Sequence, residues 1–270
     1  MKKWLFLIVS LIVIGFFVFE DIEFAEVPRM EVAVEKDQLY KGELVLVNGE
    51  FPISKQGLPN DIVLLEDYQS MAPGLQMVDP SILISRNLLQ NLGLMIKDAE
   101  KDGIDHFIIN SAYRNLDKQA ELYEEMGAEY ALPAGYSEHN LGLSVDIGST
   151  EGSMDTAAEG RWLEQNAWKY GFILRYPSNK QEITGIQYEP WHFRFVGLPH
   201  SAIMYKEDWV LEEYLAYLRE HTQYKTTVQG NKYEITYYKA ADGLDISIIP
   251  EQPYQVSGDN MGGVIVTVEL

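Results

Sequence analysis

The chain has 270 residues, 46% hydrophobic and 12% aromatic, so it is long enough for one sizeable domain and an accessory piece. Its 21 lysine and arginine residues are outnumbered by 41 aspartate and glutamate residues, and the net charge of −20 argues against a nucleic-acid partner. The absence of cysteine excludes disulfides, a thiolate nucleophile and a thiolate metal site.

The N-terminus carries a membrane-targeting pattern. Lys2 and Lys3 precede the apolar run WLFLIVSLIVIGFFVF (4–19), and acidic residues follow. Positive charge before such a run keeps the N-terminus inside and sends the rest across the membrane. The run is slightly shorter than the ~17–25 residues of a full span and longer than most signal-peptide cores. Because no small-x-small cleavage site follows, we favour an uncleaved, single-pass anchor over 1–22, with a removed signal peptide and a buried core helix as alternatives.

A stalk and the first folded elements come next. Residues 23–39 are charged and lack sustained periodicity, which fits a stalk, and the folded body is expected from Tyr40. Short apolar runs predict strands, and apolar residues at helical spacing predict a helix that a glycine ends. These elements are expected at 44–48 (LVLVN), at 61–65 (DIVLL) and, for the helix, from Leu88 to Gly103.

The middle of the chain interleaves strands and helices irregularly. Strands are expected in HFIINSAYR (106–114), LSVDI (143–147), FILRYP (172–177) and WHFRFVG (191–197). Helices are expected in NLDKQAELYEEMG (115–127) and EGRWLEQNAWKY (159–170), each followed or closed by glycine. Short strands parted by long loops predict an α+β fold with a mixed or antiparallel central sheet and flanking helices.

The C-terminal part has a different composition. A helix is expected in DWVLEEYLAYLREH (208–221). Three strands, parted by turn-rich segments, are then expected in KYEITYYK (232–239), DISIIP (245–250) and GVIVTVEL (263–270). We therefore divide the body into a main domain over 40–221 and a small accessory β module over 222–270.

Chemistry concentrates in two short motifs, SEHNLGLSVD (137–146) and EPWH (189–192). Asp146 stands between valine and isoleucine in a predicted strand, where an unpaired buried carboxylate would cost several kcal/mol. His139, Asp146 and His192 form a normal three-ligand set for a catalytic zinc with an open fourth position. Pro190 bends the chain so that Glu189 can approach the same metal, as the general base of metal-assisted hydrolysis.

Each of these residues also has an ordinary structural interpretation. A histidine at the junction of a loop and a strand is more often structural than a ligand, and Asp146 alone could pair with an arginine. The combination is what favours a metal site. His106, His200 and His221 have no such setting and are interpreted as structural or surface residues.

The two motifs, preceded by SAYR (111–114), resemble the LAS family of zinc D,D-carboxypeptidases and related peptidoglycan peptidases, whose pattern is SxHxxGxAxD followed by ExxH. The resemblance is greatest to the VanY-type enzymes associated with glycopeptide resistance. It is strong over 104–204, extends more weakly over 40–104 and gives no role to the C-terminal module. One departure is Ser144, where the pattern has alanine; both residues are small, so close packing should survive.

The resemblance implies roles by position. His139, Asp146 and His192 would bind one Zn²⁺ per chain, and Glu189 would be the base. Arg114 would bind the substrate near the scissile carbonyl and stabilise the oxyanion, while Ser137 and Gln119 would help to hold the peptide and its terminal carboxylate.

Four further residues stand near these motifs. Arg175 and Arg194 are weaker site candidates and are interpreted as structural. Tyr113 and Trp191 are candidates for lining the pocket, although aromatic residues in strands usually belong to the core.

The function expected from the resemblance is removal of the terminal D-Ala from peptidoglycan precursor stem peptides ending in D-Ala-D-Ala, with a role in vancomycin resistance, by a catalytic domain outside the cytoplasm. An L,D-carboxypeptidase or endopeptidase on the same scaffold, and a non-catalytic zinc-containing wall-binding or sensor module, remain alternatives. Serine acylation is disfavoured because SxxK and GxSxG are absent, HExxH is absent too, and the lack of a Walker motif leaves nucleotide hydrolysis unsupported.

Overall fold

The computed structural model describes residues 28–127, 131–240 and 244–270. The strands are β1 (Met30–Val34), β2 (Ile62–Leu64), β3 (Gln76–Met77), β4 (Leu83–Ser85), β5 (Phe107–Ser111), β6 (Ser144–Ser149), β7 (Phe172–Leu174), β8 (His192–Phe195), β9 (Gln223–Val228), β10 (Asn231–Lys239), β11 (Leu244–Ile248), β12 (Tyr254–Gly258) and β13 (Gly263–Glu269). The α-helices are α1 (Arg86–Lys101), α2 (Leu116–Met126), α3 (Ala158–Asn166), α4 (Gln181–Thr184), α5 (His200–Glu207) and α6 (Leu211–His221). Short 3-10 helices include Glu138–Leu141 and Ala167–Tyr170.

The central sheet has five strands in the order β3-β5-β6-β8-β7. β3 is parallel to β5, and the other neighbours are antiparallel, so the sheet is mixed. Its buried residues, among them Phe107, Ile109, Val145 and Ile147, belong to one core with the apolar face of α1. The predicted α+β fold with a mixed central sheet is confirmed.

Local signals explain the two helices nearest the sheet. The Ser85 side chain accepts a hydrogen bond from Leu88 N at the start of α1, and the Asn115 side chain accepts one from Lys118 N at the start of α2. Serine and asparagine at these positions satisfy backbone N–H groups that have no partner within the helix. Gly127, at φ 80°, ends α2 in a conformation that favours glycine.

A second, antiparallel sheet forms the C-terminal part in the order β12-β13-β10-β9. The three predicted strands correspond to β10, β11 and β13, although β11 pairs with β1 instead of joining the four-stranded sheet. The strands β9 and β12 were not predicted, because QYKTTV and YQVSG contain few apolar residues. Such edge-strand sequences lack the apolar runs that single out β10 and β13.

Two expectations about the N-terminal half were wrong. LVLVN (44–48) is not a strand: Leu44 to Val47 are buried, but their backbone bonds go to Ser257 Oγ and to Asp259 O instead of to a sheet. The expected stalk over 23–39 is also folded from Met30, where β1 pairs antiparallel with β11. Both segments therefore pack against the C-terminal part of the chain.

The expected membrane anchor over 1–22 lies outside the described residues. Among the residues that are described, no helix is both long enough and apolar enough to cross a membrane.

Candidate metal centre

Two neighbouring strands and a short 3-10 helix bring the predicted ligands together. Asp146 on β6 stands directly opposite His192 on β8 in the antiparallel register. His139 lies in the 3-10 helix Glu138–Leu141, which Gly142 ends at φ 68°, a left-handed conformation that suits glycine. The chain then continues into β6 and carries Asp146 back towards His139.

The three side chains point at one another. Asp146 Oδ1 lies 3.0 Å from His192 Nδ1, and Asp146 Oδ2 lies 3.3 Å from His139 Nε2. One ligand atom from each residue lies within 4.8 Å of the other two. In a tetrahedral site with bonds of about 2.0–2.1 Å, ligand atoms lie about 3.4 Å apart, so this donor set fits a zinc ion.

The nitrogen of each imidazole that faces away from Asp146 also has a partner. His139 Nδ1 lies 2.5 Å from the carbonyl oxygen of Ala112, and His192 Nε2 lies 3.4 Å from Glu138 Oε2. Such contacts fix the tautomer and the ring orientation of metal-binding histidines. They leave His139 Nε2 and His192 Nδ1 directed at the common centre.

Glu138 is a buried functional candidate that sequence reasoning missed. Its Oε1 accepts from Arg175 Nε at 2.8 Å and from Arg194 Nη1 at 2.7 Å, and its Oε2 accepts from Ser144 Oγ at 3.1 Å. Burial favours the neutral acid, but the two guanidinium groups hold the pKa of Glu138 well below its usual range. Glu138 is therefore an anion that contacts His192.

The contacts of Glu138 show what Arg175, Arg194 and Ser144 do in the fold. Arg175 and Arg194, which were interpreted as structural, are fully buried and act on a group next to the metal centre. The hydroxyl of Ser144, which departs from the family's alanine, donates to Glu138. Glu138 in SEHN, Arg175 in LRYP and Arg194 in HFRF can be read from the sequence, but the sequence does not show that they pair.

The electrostatics of the ligand set favour a cation. Burial disfavours the carboxylate form of Asp146, but the adjacent His139 and His192 hold its pKa below the usual range. Burial lowers the pKa of His139, which keeps this imidazole neutral. Burial also opposes charge on His192, yet hydrogen bonds to Asp146 and Glu138 raise its pKa to about 9. Two anions thus surround one imidazole in a buried pocket, and such a site attracts positive charge.

Glu189 lies beside the candidate ligand His192. The sequence Glu189–His192 forms a turn in which His192 N donates to Glu189 O at 3.1 Å, and Glu189 Oε2 lies 3.7 Å from His192 Nδ1. Burial raises the pKa of Glu189, and Asp146 adds to this rise while His192 opposes it. A carboxylate with a raised pKa beside the ligands accepts protons more readily than an ordinary glutamate.

Arg114 is held against the same centre by its backbone. Arg114 N donates to His139 O at 3.2 Å, and Arg114 O accepts from Asn140 Nδ2 at 2.7 Å. Burial lowers the pKa of Arg114, whereas Asp146 and Glu189 oppose this shift. Among the described residues, Arg114 Nε is a buried donor without a hydrogen-bond partner.

Gln119 and Ser137 are both buried. Each lies within a few residues of a candidate site residue in the sequence. Gln119 Nε2 donates to Leu132 O at 2.7 Å, and its Oε1 is buried without a partner within the described part of the chain. Ser137 Oγ accepts from His139 N at 3.4 Å and so helps to begin the 3-10 helix. Their roles in holding a peptide stay predictions.

The remaining candidates are more peripheral. Trp191 is 40% exposed, so it is not a core residue, and Tyr113 is half-buried. His106 and His221 are exposed, whereas His200 is buried and hydrogen-bonded to Tyr214 OH at 2.7 Å. The interpretation of the three histidines as structural or surface residues fits these positions.

Comparison with known proteins agrees with this geometry. Residues 81–198 match the family model VanY, D-alanyl-D-alanine carboxypeptidase. A D-alanyl-D-alanine carboxypeptidase from Enterococcus faecium is 51% identical over 238 residues, which cover 88% of this chain and 78% of that protein.

Two solved structures extend the comparison. The vancomycin resistance D,D-dipeptidase VanXYg, in complex with a D-Ala-D-Ala phosphinate analogue, matches 90% of this chain and 100% of its own, with a TM-score of 0.78 and 29% identity. A VanY D,D-pentapeptidase variant from a VanB-type resistance cassette, in complex with Zn(II), matches 64% of this chain and 98% of its own, with a TM-score of 0.53 and 32% identity. Together with its residues, these similarities show that the chain belongs to the VanY family of D-alanyl-D-alanine carboxypeptidases.

Proposed function

We propose that this chain is a zinc D,D-carboxypeptidase that removes the terminal D-Ala from peptidoglycan stem peptides ending in D-Ala-D-Ala. The observation that carries the proposal is the convergence of His139, Asp146 and His192 on one centre, with the Glu189 carboxylate 3.7 Å from His192. A purely structural zinc site needs no spare carboxylate at this place. The 51% identical relative and the zinc-bound VanY structure support this choice of metal and substrate class.

Each group has a role in hydrolysis. His139, Asp146 and His192 would hold the zinc ion, which would supply a Lewis acid able to polarise a carbonyl and to make water acidic near neutral pH. Glu189 takes a proton from the attacking water as the C–O bond forms, and passes a proton to the amine as the C–N bond breaks. The Arg114 guanidinium stabilises the charge that develops on the carbonyl oxygen. Gln119 and Ser137 help to hold the peptide and its terminal carboxylate.

The substrate assignment is tested with synthetic stem peptides. The zinc-loaded protein should release D-Ala from the pentapeptide and leave the tetrapeptide and tripeptide intact. A chelator should abolish release, and added zinc should restore it. Release of D-Ala from the tetrapeptide alone would contradict the D,D specificity and favour an L,D-carboxypeptidase.

We further propose that residues 1–22 anchor the protein in the cell membrane, that the catalytic domain (40–221) lies outside the cytoplasm, and that trimming of D-Ala-D-Ala ends reduces vancomycin binding. The basic residues before the apolar run support this orientation. The full chain should sediment with membranes and be digested by protease added to intact protoplasts. Recovery of the uncleaved chain in the soluble fraction would contradict the anchor.

A further inference from the structure

Glu138 owes its position to two arginines, and each arginine is held at its far side by another part of the chain. Arg175 donates to both carboxylate oxygens of Glu212, from Nη1 at 2.9 Å and from Nη2 at 2.7 Å. Arg194 Nη2 donates to the carbonyl oxygens of Glu43 at 2.9 Å and Val45 at 2.8 Å. The orientation of the Glu138 side chain therefore depends on α6 and on the segment 43–47. The contact between Glu138 and His192 depends on them too.

The C-terminal sheet holds α6, which carries Glu212 in its first turn. The buried face of α6, which includes Leu215, belongs to one apolar cluster with Ile235 of β10 and Ile265 of β13. A chain of buried polar side chains also links α6 to β13. Thr267 Oγ1 of β13 lies 3.0 Å from His200 Nε2, and His200 Nδ1 lies 2.7 Å from Tyr214 OH of α6. Burial lowers the pKa of His200 to about 3, so this imidazole stays neutral and bridges the two hydroxyls.

The β12–β13 hairpin holds the segment 43–47. Ser257 Oγ accepts from Leu44 N at 2.8 Å, and Asp259 O accepts from Leu46 N at 3.3 Å. Asn260 Nδ2 donates to the carbonyl oxygens of Leu46 and Pro52, each at 2.9 Å. The segment begins in a turn and belongs to no strand, so these contacts with the hairpin fix where its carbonyl groups point.

We propose that the C-terminal sheet is a positioning device for the metal ligand His192. It holds α6 and the segment 43–47, these hold Arg175 and Arg194, and the two arginines hold Glu138 on the imidazole. The inference rests on the proposed function, because it takes His192 as a zinc ligand, and it adds a role for the module at 222–270. Buried arginines and carboxylates are costly to misplace, so a displacement at the far end of either arginine is passed on to Glu138.

The route through α6 is tested with Glu212→Gln, which keeps the shape of the side chain and removes its charge. Glu213→Gln is the matched control. Glu213 lies in the same helical turn and pairs with Lys180 Nζ at 3.0 Å, but has no hydrogen bond to Arg175 among the described residues. It also accepts from Val210 N at 3.0 Å at the start of α6, a bond that the glutamine oxygen can keep.

The route through the hairpin is tested with Asn260→Gly. Asn260 has φ 61°, so glycine keeps the backbone conformation while both side-chain bonds are lost. Gln229→Gly is the matched control, because Gln229 has φ 52° in the same module and donates to Lys169 O, which does not lead to Glu138.

Three readouts separate positioning from general stability: zinc affinity by competition with a chelator, the visible spectrum of the Co²⁺-substituted protein, and kcat against KM. Outer-shell partners of metal ligands typically control affinity or activity by 10–100-fold, so we expect Glu212→Gln and Asn260→Gly each to weaken zinc binding by about 10-fold. Their cobalt spectra should shift, and kcat should fall with KM unchanged. The two controls should match the unsubstituted protein.

The outcomes are distinct. Zinc affinity and cobalt spectra equal to those of the controls would contradict this inference alone. An unfolded Glu212→Gln or Asn260→Gly chain would also contradict it, because the contact would then serve stability instead of the direction of His192. Failure of the unsubstituted protein to bind zinc would contradict the proposed function as well.

Discussion

At the scale of single residues, the proposed chemistry is divided between Glu189 and Arg114. Glu189 is partly buried beside Asp146, and its raised pKa suits a proton acceptor. Burial lowers the pKa of Arg114, and the negative charges of Asp146 and Glu189 oppose this shift. Under the proposed function, Glu189 would move protons and Arg114 would stabilise negative charge.

Glu189→Gln should separate metal binding from turnover. The amide keeps the size of the side chain but cannot accept a proton from water, so we expect kcat to fall by about 10²–10⁴-fold while zinc affinity is retained. Metal analysis of the purified variant and D-Ala release from the pentapeptide give the two readouts. Normal hydrolysis by this variant would exclude Glu189 as the base.

Arg114→Lys should lower kcat more than it changes KM. Lysine keeps the charge but not the fork of donors, and loss of one donor to an oxyanion costs about 10²–10³-fold in kcat. Steady-state kinetics on the pentapeptide measure this change, and Arg86→Lys is a control at an exposed arginine that pairs with Tyr68. Equal rates for both variants would place the oxyanion contact elsewhere.

At the scale of elements, strands and helices with strong local patterns were predictable from the sequence. α2 has its asparagine cap and its terminal glycine, and β6 and β8 carry the ligands in apolar runs. LVLVN has an equally good strand pattern, but its partners are Ser257 and Asp259, more than 200 residues away. No local signal shows whether such a run finds a sheet or a loop.

At the site too, the sequence could not show contacts between residues that are distant in the chain. His139, Asp146, His192 and Glu189 could be singled out because their two motifs are short and carry residue types that bind zinc, and their roles stay predictions. Glu138 was missed because its partners Arg175 and Arg194 lie 37 and 56 residues further along the chain. Glu138 lies in the 3-10 helix before β6, Arg175 directly follows β7 and Arg194 lies in β8, so pairing of these strands brings them to one place.

Gly93 in α1 tests the packing of an element. A helical glycine usually gains stability on replacement by alanine, but a Cβ here would lie 1.9 Å from the Met71 carbonyl oxygen. We expect Gly93→Ala to destabilise the fold by about 1–3 kcal/mol, the usual cost of overpacking. Denaturant unfolding measures the change, with Leu94→Ala at an exposed position of the same helix as control. A stabilised Gly93→Ala chain would contradict this close packing.

At the scale of the whole molecule, the metal centre joins parts that are distant in sequence. Its ligands come from a 3-10 helix and two strands of the central sheet, and its outer contacts reach α6 and residues 43–45. The C-terminal sheet packs against both of these supports. Metal binding is therefore expected to stabilise the folded chain as a unit.

Zinc should raise the thermal unfolding temperature. At 100 times its dissociation constant, a ligand that binds only the folded state adds about 2.7 kcal/mol, which corresponds to a rise of about 5–10 °C for a chain of this size. Differential scanning calorimetry of the metal-free and zinc-loaded protein measures the rise. Asp146→Asn, which weakens the ligand set, should show a smaller rise, and an equal rise in both proteins would place the bound zinc elsewhere.

The most direct test of the central claim is X-ray diffraction above and below the zinc absorption edge from crystals grown with zinc. We expect one anomalous peak per chain, bonded to His139 Nε2, His192 Nδ1 and the Asp146 carboxylate, with Glu189 beside it. A peak at other residues, or these four side chains directed to different places in the zinc-loaded crystal, would contradict the account.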